Sequence, residues 1–99
     1  MTEKYNGWTN YETWLVGLWL DNEQALYEEI RDMSGRAFRH VDEDNEEEKT
    51  STLHNLSDEI KDYVENMIPE NLPGFVSDLV NSALSEVNWK EIAEHTREE

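Results

Sequence analysis

The groups in this sequence that could do chemistry are three His and twenty-four carboxylates; there is no Cys. Without Cys there is no thiolate nucleophile, no disulfide and no Cys-based zinc site. His40, His54 and His95 stand apart in sequence, and none belongs to a His-Glu-x-x-His zinc motif. Glu91 and His95 are one helical turn apart, which makes half a metal site at most. An exposed helix pair is the simpler reading. Asp42, Asp44 and Glu46 alternate like the first ligands of a calcium loop. The match then fails: Glu47 stands where that loop needs Gly, and Leu53 where it needs Glu. The Gly residues, at 7, 17, 35 and 74, build neither a phosphate loop nor a Gly-x-Ser-x-Gly elbow. Among so many carboxylates, a pair suited to acid–base work carries no information. The chain is expected to be non-enzymatic, with no catalytic residue, no metal and no cofactor.

Taken together, the carboxylates point elsewhere. Lys and Arg number eight, so the net charge is −16 and the pI is near 4.3. Direct binding of nucleic acid relies on Lys and Arg against phosphate, and this chain is expected to bind neither nucleic acid nor an anionic membrane. A dense array of carboxylates can instead stand in for phosphates and draw a basic groove towards it. Candidate surrogates are Glu28 and Asp32 on one predicted helix, and Asp58, Glu59, Asp62 and Glu65 on another. The run Asp42, Glu43, Asp44, Glu46, Glu47 and Glu48 offers a second contact. Helical rise is 1.5 Å per residue, and each DNA strand carries one phosphate per ~3.4 Å, so the match in spacing is loose. The plainer alternative is an acidic surface that serves solubility alone.

The aromatic residues are the other concentrated feature. Trp8, Tyr11, Trp14 and Trp19 could stack bases, but such platforms lie in positive grooves, and only Lys4 is near them in sequence. They could also form a protein-binding hot spot. The simplest reading is a buried helix, its apolar face widened by Val16 and Leu20.

These residues must be held by a fold. High charge with low hydropathy suggests disorder, yet Trp8, Tyr11, Trp14, Leu15, Leu18 and Trp19 recur at three and four, the period of an amphipathic helix. Residues 1–8 read as a flexible lead-in with an Asn6-Gly7 turn. Thr9 and Glu12 read as a capping box that starts a helix to about Leu20. Asp21 and Gln24 suggest a second box, starting a helix with Leu26, Tyr27, Ile30 and Met33. Residues 42–49 are acidic at six of eight positions and read as an exposed loop or frayed helix end. Thr50–Thr52 offer caps for a third helix with Leu53, Leu56, Ile60, Tyr63, Val64 and Met67. Pro69 and Pro73-Gly74 break the chain. A fourth helix follows with Phe75, Val76, Leu79, Val80, Ala83, Leu84 and Val87. Asn88 and Glu91 cap a short fifth. The expected fold is all-α, a single domain over 1–99 built as a compact bundle of four to five short helices. Trp14, Leu18, Ile60, Leu79, Val80 and Leu84 are expected in its core. No basic-then-apolar leader or apolar run of ~18 residues is present, so a cytoplasmic protein is expected. An apolar stripe in so short a chain could be closed by a second copy, giving a homodimer.

The segment from Asn6 to Glu23, with its Asn10-Tyr11-Glu12-Thr13-Trp14 run, resembles the opening of a family of small proteins of unknown function carried by phages, plasmids and other mobile elements. Leu79 to Ala93 is similar to the ending of many members. Together these cover about a third of the chain and omit its acidic middle. The resemblance implies a setting, because mobile elements need small proteins that blunt host defence. In charge and size, though not in motif, the chain also resembles phage antirestriction and anti-CRISPR proteins that mimic DNA. The expected partner is therefore a nucleic-acid-binding protein or complex, a restriction or CRISPR effector in the host cytoplasm. The alternative is a small adaptor that binds a protein partner through exposed aromatics such as Trp8 and Tyr11.

Overall fold

Asn10, rather than Thr9, opens the first helix. Its side-chain oxygen accepts from the Thr13 backbone N–H at 2.9 Å, the usual service of an N-cap amide. A computed structural model describes residues 5–97, and among these residues the chain forms five helices and no strand: α1 (Tyr11–Asn22), α2 (Gln24–Phe38), α3 (Glu46–Glu65), α4 (Gly74–Ser85) and α5 (Trp89–His95). The all-α bundle expected from the sequence is thus the observed fold. α3 packs on α5 and α2, and α1 packs on α2 and α5. Between them lie Leu20, Ile30, Met33, Leu56, Ile60, Val87, Ile92 and Ala93.

Several local expectations need correction. Residues 1–4 of the lead-in, Lys4 included, lie outside the described residues. The rest of it is a tight turn. Tyr5 and Trp8 exchange backbone hydrogen bonds of 2.7 and 2.8 Å, and Asn6 and Gly7 both take positive φ, 49° and 90°, as a two-residue hairpin turn requires. No capping box forms at Asp21 and Gln24. α1 runs on to Asn22, and α2 starts after Glu23 without a side-chain cap. The Asp21 carboxylate instead meets His95 Nε2 at 2.7 Å and lies 3.8 Å from Arg31. The acidic run divides at Asn45, which caps α3 by accepting from Glu48 N–H. Residues 42–45 are loop, and Glu46, Glu47 and Glu48 form the first turn of α3. That helix therefore begins four residues before Thr50. Three carboxylates at the positive end of the helix dipole favour the early start.

The core also differs. Ile60 is fully buried, but Trp14, Val80 and Leu84 are only half-buried, and Leu18 and Leu79 are exposed. Two causes account for this. α4 makes no extensive contact with another helix and has no buried residue, so Phe75 and Leu79 stay in solvent at 71% and 64% exposure. α1, in turn, packs through Thr13, Gly17 and Leu20. The side facing the body thus includes the small and polar residues, with Leu20 as its large apolar one.

Candidate protein-binding surface

Two segments distant in sequence set the frame for any surface here. Thr13 is fully buried. Its hydroxyl donates to Asn10 Oδ1 at 2.6 Å and accepts from the Asn88 backbone N–H at 2.9 Å. Asn10 Nδ2 donates to the Glu86 carbonyl, and Asn88 Nδ2 donates to Thr9 Oγ1. The Thr9 N–H donates to Glu91 Oε1 at 3.0 Å. Asn88 itself caps α5 by accepting from the Glu91 N–H. The starts of α1 and α5 are thereby joined through their caps. Residues in the Asn10–Trp14 run and in the 79–93 segment are parts of one fastening, which explains their types without invoking a ligand. It also gives Glu91 and His95 different partners. The Glu91 carboxylate is held by Thr9, while the His95 ring meets Asp21 and stands edge-on to Trp8 at 5.0 Å.

The carboxylates proposed as phosphate surrogates fall into three groups. On α3, Asp58, Asp62 and Glu65 recur at four and three residues on the side opposite Leu56 and Ile60, with Glu59 beside them. Asp58, Glu59 and Asp62 are exposed and Glu65 is half-buried. His54 Nε2 lies 3.5 Å from Asp58. Among the described residues, no Lys or Arg pairs with any of these four. At the start of α3 the charges are more engaged. Arg97 pairs with Glu43 at 3.0 Å and lies over the Phe38 ring, and Lys49 pairs with Glu46 at 3.0 Å. Asp42 accepts from the Asp44 N–H. Asp44 and Glu47 are exposed and Glu48 is half-buried. Ser51, His54 and Asn55 separate this group from Asp58 along the outer side of the helix. On α2, Glu28 and Asp32 are exposed, with Glu28 accepting from Gln24. The same side continues into Arg36 and Arg39, which line an open depression with Asp32. The α2 group is therefore of mixed sign, and the α3 group, which has Lys61 within it, is the more acidic of the two.

The position of the α3 group is informative. A helix C-terminus is the negative end of its dipole, and carboxylates there are unfavourable. α3 has no basic residue in its last turn, which carries Asp62 and Glu65. Glu46, Glu47 and Glu48 suit their place in the first turn; Asp62 and Glu65 oppose theirs.

The aromatic segment, offered above as a protein-binding hot spot, forms a second surface in part. Tyr11 and Trp19 are exposed on α1 together with Leu18. Tyr5 packs against Tyr11 and Trp14, with ring centroids 5.2 and 4.9 Å apart. Trp8, by contrast, is half-buried and covers Gly17, where an added Cβ would lie 2.9 Å from the indole. Of the two rings named for an adaptor, Tyr11 is available and Trp8 is structural. The sequence did contain a sign of this arrangement. α1 is apolar nearly all round, and a helix of that kind is fully buried or covered by something else.

Among the described residues, no helix is long and apolar enough to cross a membrane, and no group of three His, Asp or Glu is placed to hold a metal ion. No curated protein and no solved structure matches the chain. A family model does match it, over residues 1–99, and by that match the chain belongs to the family of unknown function DUF7249.

Proposed function

We propose that this protein is a non-enzymatic inhibitor that occupies a basic nucleic-acid-binding surface, its α3 carboxylates standing in for phosphates. The observation that carries this reading is the group Asp58, Glu59, Asp62 and Glu65: unpaired by Lys or Arg among the described residues, and placed in part where it lowers the stability of its own helix. Charge held at a cost to the fold fits a binding role better than solubility, which any surface position would serve. Asp42, Glu43, Asp44, Glu46, Glu47 and Glu48 extend the contact, and Glu28 and Asp32 contribute at its margin. A net charge of −16 steers a basic partner in from a distance. The resemblance to proteins of mobile elements supplies the setting: a restriction or CRISPR effector as partner, met in the host cytoplasm.

The test is the fourfold neutralisation Asp58→Asn, Glu59→Gln, Asp62→Asn and Glu65→Gln. Phage plating on restriction- or CRISPR-proficient cells is expected to rise with the wild-type chain and not with this variant. The variant is also expected to be more stable in urea unfolding, by roughly 0.3–1 kcal/mol for each end charge removed. A variant that inhibits as well as wild type overturns the electrostatic mechanism. The second reading, an adaptor working through aromatics, rests on the exposed rings of α1; its binding would depend weakly on salt and strongly on Tyr11.

A further inference from the structure

Helix α1 is turned inside out. Its buried positions are Thr13, Gly17 and Leu20. Its outer side carries Tyr11, Leu15, Leu18 and Trp19. Trp19 is 58% exposed, Tyr11 and Leu18 are also exposed, and Leu15 is half-buried. The fastening described above explains the inversion, because Thr13 must face Asn88 and Gly17 must face Trp8. The large apolar side chains are left outside. A contiguous apolar ridge on a soluble chain marks an interaction surface.

We infer that this ridge is the contact of a symmetric homodimer, the α1 helices of two copies packing along Tyr11, Leu15, Leu18 and Trp19. Charge selects the occupant. Residues 5–20 carry one charged side chain, Glu12, in a chain of net charge −16. Two copies that repel each other elsewhere can meet here without setting carboxylates side by side. A basic partner would gain no ion pair from the ridge and would be drawn to α3. The apolar pair Phe75 and Leu79 on α4 is a smaller place for a second copy, two large apolar residues against the four of the ridge.

Spacing and rigidity agree with a two-fold contact. Tyr11, Leu15 and Leu18 recur at four and three residues, the interval at which paired helices interlock. Tyr11 and Trp19 lie about 12 Å apart along the axis, one towards each end of the helix. In an antiparallel pair related by a two-fold, each Trp19 meets the Tyr11 of the other copy, the self-complementary pattern that such symmetry imposes. The rings of Tyr5 and Trp14 stand 5.2 and 5.6 Å from that of Tyr11, holding it in place before contact, which lowers the entropy lost on binding. Tyr5, Tyr11 and Trp19 alone leave roughly 300 Å² in solvent, taking ~200 Å² per ring. That is a fair share of the ~800 Å² per partner in a standard interface. The dimer is therefore expected to be concentration-dependent.

Sedimentation velocity on the full chain, over a wide dilution series at low and high salt, tests this. A monomer–dimer equilibrium that salt strengthens is expected, because screening removes repulsion between the acidic bodies. Trp19→Glu, which removes a ring from each copy, should weaken the dimer by at least about 30-fold, the scale of a hot-spot loss, with its far-UV circular dichroism unchanged. Phe75→Glu should leave the equilibrium as it is. A chain monomeric throughout the series overturns the inference, even if the ridge then captures a different protein. So does a dimer that survives Trp19→Glu, that yields to Phe75→Glu, or that salt dissociates.

Discussion

Thr13 shows how much one hydroxyl can hold. It is buried, donates to the cap of α1 and accepts from the backbone at the start of α5. Thr13→Val keeps the shape and removes both bonds, leaving the Asn88 N–H unsatisfied. The expected loss is ~1–3 kcal/mol, with Thr13→Ser recovering most of it; urea unfolding of the two variants measures the difference. Gly17 is bound to its neighbour in another way. A methyl group there would lie 2.9 Å from the Trp8 indole, a rigid ring already set against His95. Gly17→Ala is expected to destabilise by ~1–3 kcal/mol through overpacking, although Ala is the better helix former; thermal melts would show the sign. Neither role could be read from the sequence. Thr13 and Gly17 give no local signal of either, because their partners are more than seventy residues away or in the preceding turn. Asn88 was legible, since its bond to the Glu91 N–H lies within a few residues.

At the scale of elements, helix existence followed from period and boundaries followed from caps. Four helices were expected from their apolar spacing, and the short fifth from the Asn88 and Glu91 cap. Where the competing caps were close together, the choice among them went wrong: Asn10 displaced Thr9, and Asn45 displaced Thr50–Thr52. Which side of a helix is buried was harder still. An amphipathic pattern shows that a helix has an apolar side, not that the chain has enough partners to cover it. α4 is the clearest case, with a continuous apolar stripe and no buried residue. Ile60→Ala should therefore cost ~2–5 kcal/mol, while Leu79→Ser should fall within about 0.5 kcal/mol of wild type. A large loss for Leu79→Ser in urea unfolding would place α4 in the folding core after all. The acidic candidates were named from charge alone, and their positions divide them. Glu46 and Glu43 are partly neutralised by Lys49 and Arg97, while the group on the last turns of α3 is not. The helix dipole, which distinguishes the two ends, becomes usable only once the ends of α3 are known.

The whole molecule carries a net charge of −16 on 99 residues, and that self-repulsion works against the folded state. Added salt at moderate concentration should raise the melting temperature; a temperature that falls between low and moderate salt would contradict this view of the surface. Size and charge class were legible from composition. The division of the surface into an acidic α3 and a neutral α1 ridge was not, because it depends on which sides the Thr13 fastening turns inward. Replacement of phosphates by the α3 carboxylates on a basic protein surface is the proposed mechanism. Its most direct test is to immobilise the wild-type chain and the fourfold Asp58, Glu59, Asp62 and Glu65 neutralised variant, pass bacterial lysate over both, and elute with duplex DNA at constant salt. A nucleic-acid-handling protein is expected to be held by the wild type, released by DNA and absent from the variant. A retained protein that DNA does not release, and that the variant holds equally well, would contradict it.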